Sequence, residues 1–168
     1  MIIINKRNLF FLISVWLLST LLSAQNVTIS TPHTQLLLSV PNGGTPEQLY
    51  YGSRTSDADI RSICETARRR NAYPVYGMGY PCETALSVRH ADGNLTLQMA
   101  VIGVKETRLT KENATLTVIE LKDKVYPFFV NICYKAWQDA DVIETWTEIR
   151  HEEKKPVQLQ QFASAYLP

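Results

Sequence analysis

From Ile119 to Pro168 the chain is a close succession of strand-forming segments divided by charged or turn-forming residues, and no other feature constrains the fold as much. The segments run over 119–123, 126–134, 141–149 and 157–167. In the second, Phe128, Val130, Ile132 and Tyr134 alternate with Asn131 and Lys135, so one face is apolar and packs inward. Phe129 and Cys133 fall on the opposite face and predict partial cover there as well. Strands covered on both faces belong to stacked sheets rather than to one exposed sheet. The pattern therefore predicts an all-β chain, an antiparallel β-sandwich. Segments 141–150 and 157–167 read as a further antiparallel hairpin, with Glu152-Glu153-Lys154-Lys155 as a solvated, mixed-charge turn between them.

The upstream half carries the same signals. A strand over 33–40 with the apolar run Leu36-Leu37-Leu38 ends at Pro41-Asn42-Gly43-Gly44, a strong turn sequence. Asp92-Gly93 lies between two alternating runs, 86–89 and 95–99, and predicts a tight hairpin because glycine reaches the positive φ angles such a turn needs. One segment breaks the period. Between Ser56 and Arg70, Ile60, Cys64 and Ala67 recur at near-helical spacing, with Ser56 or Asp57 available as a cap, so a short helix is expected there.

Residues 1–24 read as a signal peptide rather than as part of the fold. Lys6 and Arg7 form a basic start, Leu9 to Leu22 an apolar run, and Ser23-Ala24-Gln25 a small-residue cleavage region, with cleavage expected after Ala24. The mature domain then spans 25–168 and is exported to the periplasm or the extracellular space. An uncleaved anchor is the alternative, although a span usually needs about 20 apolar residues. After cleavage no membrane contact is expected. The chain is 45% hydrophobic and 20% charged, with 17 Lys and Arg against 16 Asp and Glu, which suits one globular core. A formal charge of +1 gives no footprint for nucleic acid, and the run Arg68-Arg69-Arg70 reads as a solvated face.

Cys64, Cys82 and Cys133 allow at most one disulfide, in any of three pairings, and Cys133 reads as a small buried hydrophobe. His33, His90 and His151 are scattered and no Cys/His spacing suggests a metal; no cofactor is expected.

Several short elements, in order, resemble the amino-terminal β-sandwich of glycoside hydrolase family 36, the α-galactosidases. They are Leu49-Tyr50-Tyr51-Gly52, then Tyr73-Pro74-Val75-Tyr76-Gly77, then Ala85-Leu86-Ser87-Val88 with Asp92-Gly93. The progression from Leu121-Lys122-Asp123 through Tyr126-Pro127 and Asp141-Val142-Ile143-Glu144-Thr145-Trp146 to Ser164-Ala165-Tyr166-Leu167-Pro168 completes the resemblance. It covers nearly everything after Gln25 and implies a supersandwich-like fold that is incomplete in this chain, ending before a downstream catalytic barrel. Family members are retaining exo-glycosidases that release terminal α-galactose with two barrel carboxylates. The resemblance further implies an α-galactoside as partner of the complete enzyme and oligomer contacts through this domain. Tyr80 and Cys82 stand where many members carry Asp and Arg, which points to a divergent branch and leaves its glycone open between galactose and another sugar.

Retaining hydrolysis needs two carboxyl groups about 5 Å apart. Asp57 and Asp59 read as a helix cap and its neighbour, and Glu144 and Glu148 as the solvent side of a strand. No catalytic residue is expected in this chain. Sugars also stack on flat aromatic rings, and Tyr50, Tyr51, Tyr76, Tyr80, Trp137 and Trp146 are available, although sandwiches use such rings mostly as core and cross-strand partners. Tyr51 is the exception. The resemblance places at this position a ring, often Trp, that approaches the sugar pocket; the excursion over 56–70 is shorter than the one that helps wall that pocket in the family. A free-standing carbohydrate-binding or oligomerisation sandwich is the alternative function.

Overall fold

The computed structural model describes residues 25–166, so the leader lies outside the described residues. Ten strands are described: β1 (Gln25–Ser30), β2 (Thr34–Val40), β3 (Glu47–Ser53), β4 (Arg70–Asn71), β5 (Leu86–Arg89), β6 (Met99–Leu109), β7 (Ala114–Asp123), β8 (Phe128–Trp137), β9 (Val142–His151) and β10 (Gln158–Phe162). They form a β1-β2-β3-β4 sheet, a β6-β7-β8-β9 sheet and a small β5-β10 pair, with every ladder antiparallel. The expected all-β sandwich is what forms.

Period-two alternation explains the core. Leu36, Leu38 and Val40 of β2 share one buried cluster with Ile119 and Leu121 of β7 and with Phe128, Val130, Ile132 and Tyr134 of β8. Fully burying each such side chain is worth about 1.5–3 kcal/mol, which makes this seam the main source of stability. The intervening residues of β2 are buried too, on the opposite face. There Gln35 accepts from the Thr55 amide and hydroxyl, and Arg69 donates to the Ser39 hydroxyl, so the 54–70 excursion spans that face. Its helix, α1 (Asp57–Thr66), is capped by Ser56, whose hydroxyl accepts from the Asp59 amide at 3.3 Å.

Two clasps join the large sheets. The Gly43 amide donates to the Val101 carbonyl and the Val101 amide to the Gly44 carbonyl, docking the β2–β3 turn on β6. At the other end Asp141, which the sequence placed at a strand start, instead adopts φ 55° in the β8–β9 turn. Its carboxylate accepts from the Thr31 hydroxyl and from the His33 amide at 3.0 Å. Those two bonds, the hydroxyl foremost, hold the Asp141 pKa below the usual carboxylate value. A depressed folded pKa contributes stability above about pH 4, the unfolded value, and that contribution is lost as pH falls through the folded one. Asp141→Asn is therefore expected to lower the urea midpoint at neutral pH and to flatten its fall in acid. Parallel acid limbs for variant and parent would show that the clasp carries no linkage.

Two expected hairpins are corrected. Asp92-Gly93 does form a turn, with Gly93 at φ 90° donating to the His90 carbonyl, but 86–89 and 95–99 do not pair beyond it. The segment Tyr73–Gly77 lies between them and takes their hydrogen bonds: Tyr76 donates to Leu86 and accepts from Leu97, and Val75 bridges Leu86 in parallel. Likewise β10 pairs with β5, Leu159 opposite Val88 and Phe162 opposite Leu86, instead of folding back on β9. The loop before β10 explains this choice. Glu153 is not a solvated turn residue; its carboxylate is buried against His90 Nδ1 at 2.7 Å and accepts from the Ala91 amide at 2.9 Å, which carries the chain across to β5.

The three cysteines are all free thiols, Cys82 exposed, Cys64 half-buried and Cys133 buried. Burial, reinforced by the Glu148 carboxylate, pushes the Cys133 thiol up to about 11, so it stays protonated and inert. Among the described residues no helix is long and apolar enough to cross a membrane, and no three potential ligands cluster around a metal position.

Candidate functional site

Tyr51 owes its position to two irregularities in β3. Leu37 pairs with Tyr50 and Leu38 with Gln48, so Leu49 is an extra residue, a bulge that bends the strand just before the tyrosines. Beyond it the Tyr50 hydroxyl donates to the Ser53 carbonyl at 2.8 Å, and its ring lies over Gly52. A Cβ on Gly52 would meet that phenol oxygen at 2.7 Å, so a larger residue there would push the Tyr50 ring aside. Tyr51 pairs with Leu36 and so points to the inner side of the sheet, yet it is 58% exposed. It stands at the mouth of the cleft between the sheets.

The cleft itself has a volume of about 180 Å³ and is lined by Gln48 and Tyr51 of β3, Tyr134 of β8, Thr145 of β9, and by Tyr73 and Tyr166. The chain after β10 closes one side. The Ala163 amide donates to the Ala85 carbonyl, and the Ala163 carbonyl accepts from the Tyr73 and Thr147 hydroxyls at 3.1 Å. Tyr166 then meets Tyr80, hydroxyl to hydroxyl at 2.9 Å with the rings edge to face. Burial raises the Tyr73 and Tyr134 pKa values, and the Tyr80 hydrogen bond followed by burial pushes Tyr166 up to about 12. Phenols this weakly acidic serve as hydrogen-bond partners and not as acid/base groups near neutral pH.

On the other side of Tyr51 lies a more open hollow of about 580 Å³. It follows the edge of β3, because the two-residue β4 pairs only with Glu47 and Gln48. Tyr50, Tyr51, Ile63, Thr66, Arg68 and Arg70 are among its walls. The helical excursion flanks Tyr51 through the end of α1 and the residues after it. Among the described residues no carboxylate lines the cleft or this hollow. What they offer is a flat ring, hydroxyls and guanidinium groups, which is binding chemistry.

The other aromatic candidates are dispersed, and none of them is fully buried core. Tyr76 is exposed, and Tyr80 contacts Tyr166. Trp137 and Trp146 lie on the outer face of the β6–β9 sheet, their indole N–H groups donating to Glu144 and Glu148, both on the solvent side as the alternation predicts. Asp59 belongs to the α1 cap, where its carboxylate accepts from the Ser56 hydroxyl. Sequence reasoning missed the approach of Arg68 and Arg70 to Tyr51, since only the Gln48–Arg70 register brings them together.

The model of the glycosyl hydrolase family 36 N-terminal domain matches residues 44–168. Among solved structures the chain is similar to the α-galactosidase of Lactobacillus brevis, at 16% identity and TM-score 0.72, over 84% of this chain and 23% of that one. A raffinose complex of a variant of the α-galactosidase AgaA from Geobacillus stearothermophilus aligns at 15% identity and TM-score 0.74, over 84% and 24%. The galactosidase domain of the α-galactosidase-sucrose kinase AgaSK aligns at 22% identity and TM-score 0.69, over 82% and 24%. The chain therefore spans about a quarter of the length of each of these solved relatives. No curated protein matches it. With the family model covering most of the chain and the sandwich superposing on several of its enzymes, this chain belongs to the glycosyl hydrolase family 36 N-terminal domain family.

Proposed function

We propose that this chain is the non-catalytic N-terminal portion of an exported α-galactosidase-like glycoside hydrolase, and that Tyr51 lends one ring to the rim of an α-galactoside site whose carboxylates belong to a catalytic barrel. The observation that carries this reading is the exposed ring of Tyr51 at the cleft mouth, held there by the Leu49 bulge and the Tyr50–Gly52 contact. A ring left in water on a sheet's inner side contributes little to folding and is free to meet a partner or ligand. The cleft beside it, at about 180 Å³, is smaller than the 300–1,000 Å³ usual for a ligand site, which suits a rim completed by another domain.

In the complete enzyme, Tyr51→Ala is expected to raise KM for an aryl α-galactoside about three- to tenfold, the worth of one aromatic contact, with kcat nearly unchanged. Thermal unfolding should barely move. An unchanged KM would remove Tyr51 from the site. Export rests on the basic and apolar leader pattern, and amino-terminal sequencing of protein from a secreting host should begin at Gln25. A mature protein starting at Met1 in the cytosol would refute it.

A further inference from the structure

β9 is an edge of the β6–β9 sheet, and among the described residues no other segment pairs with its outer side. A regular edge offers unpaired N–H and C=O groups to a second strand, and proteins blunt such edges with proline, bulges, lysine or short strands. β9 has none of these. It pairs with β8 from Val142 to His151 without a register shift, and it contains no Pro, Gly or Lys. The opposite edge of the sheet is protected, because β6 is bulged between Val101 and Gly103 and is bonded there to the β2–β3 turn. What β9 does carry is charge, in an order that a second copy complements. Glu144, Trp146, Glu148 and Arg150 lie on the outer face, since the residues of β8 paired with the odd positions belong to the core. In an antiparallel pair, residues opposite one another share a face, so a two-fold axis between two β9 strands passes through a residue and not between two. Axes through Trp146 and Thr147 pair the most of the strand. The first sets Glu144 against Glu148 in both halves, which is repulsive. The second sets Glu144 against Arg150 in both halves, and Trp146 against Glu148, a carboxylate that already accepts from an indole N–H at 3.3 Å. Glu144 is exposed and no ion pair with a described residue engages it, because Lys135 opposite it on β8 is taken by Glu112. The Arg150 side chain is 61% exposed; it is paired with Glu152 and lies over the Phe129 ring, and its remaining donors face solvent.

We infer that β9 is a homodimerisation edge: two copies of this chain pair antiparallel about a two-fold axis at Thr147, joining their sheets, with Glu144 of each copy facing Arg150 of the other. Such a contact uses up both edges, so assembly through it stops at the dimer. It does not depend on Tyr51 meeting a sugar.

The test is sedimentation equilibrium of the mature chain over about 1–100 µM, where a monomer–dimer equilibrium with no larger species is expected. Hydrogen exchange of the amides over 143–151 should slow as the concentration rises. Glu144→Arg or Arg150→Glu alone should weaken the dimer by about tenfold or more, since each sets like charges opposite one another twice. Mixing the two single variants, or joining both changes in one chain, brings opposite charges together again and should restore association to within about threefold of the parent. If the axis lay at Trp146, Glu144→Arg would instead strengthen the dimer, and that result would overturn the inference. A monomer throughout the range would do the same. So would a dimer indifferent to every variant, which would place the contact on another surface, such as the exposed Leu159 and Phe162. The mass and exchange of the parent chain test the edge even where a variant folds poorly.

Discussion

Glu153→Ala is expected to destabilise the domain by about 2 kcal/mol, the cost of leaving two buried N–H donors without their acceptor. The His90 side chain is 0% exposed and that of Glu153 5%. The imidazole is stacked on Tyr126 with ring centroids 3.7 Å apart and meets Phe128 edge-on. Its Nε2 has no partner among the described residues, so the single proton of a neutral ring belongs on Nδ1, where it is donated to the carboxylate. Without Glu153 that N–H and the Ala91 amide are both left unsatisfied in a dry place. With m-values of about 1–3 kcal/mol/M, the urea midpoint should fall by roughly 1–2 M. Amides of β10 should also exchange faster, because the pair routes the chain to β5. Glu153→Gln preserves shape and an acceptor, and should cost less. A loss below about 1 kcal/mol for the alanine variant would mean that His90 and Glu153 do not hold this end of the sandwich.

The second large effect is expected at Gly77. It adopts φ 99°, and a Cβ there would lie 2.7 Å from the Thr96 methyl, 2.9 Å from the Thr96 Cα and 3.1 Å from the Leu97 amide nitrogen. Two of those three atoms are backbone and cannot turn aside. Moving them would break the Leu97-to-Tyr76 hydrogen bond and loosen the Tyr73–Gly77 insert from β5. Strain at a φ closed to side chains costs about 1–3 kcal/mol, and the overlap adds to it, so Gly77→Ala should lose about 3 kcal/mol or more. Gly93 is the internal control. It too has positive φ, but nothing lies within 4 Å of its added Cβ, so Gly93→Ala should pay for φ alone. Equal losses at the two positions in urea unfolding would show that the packing against Thr96 is immaterial.

Much of the fold was legible because its causes are local. The alternation of Phe128, Val130, Ile132 and Tyr134 dictates an inner face whatever strand lies opposite, and Ser56 caps α1 through an amide three residues away. The Tyr-Tyr-Gly element pointed to Tyr51, and Gly52 leaves room for the Tyr50 ring next to it. Pairing between distant segments was not legible. A period of two says which side of a strand faces the core and nothing about its neighbour, so β10 read equally well as a partner of β9.

Three things were settled only when the chain closed on itself. Glu153 and His90, each unremarkable among charged or scattered residues, become one buried pair that selects β5 as the partner of β10. The Tyr73–Gly77 segment displaces the hairpin that Asp92-Gly93 predicts, because glycine 77 can press against the backbone at Thr96. Arg68 and Arg70 come to Tyr51 through the Gln48–Arg70 register and the turn of α1. By itself the sequence determined the faces, caps and turns, which depend on contacts a few residues apart. The tertiary structure decided the partners, since burial and desolvation of a charge exist only once residues far apart in the chain have met.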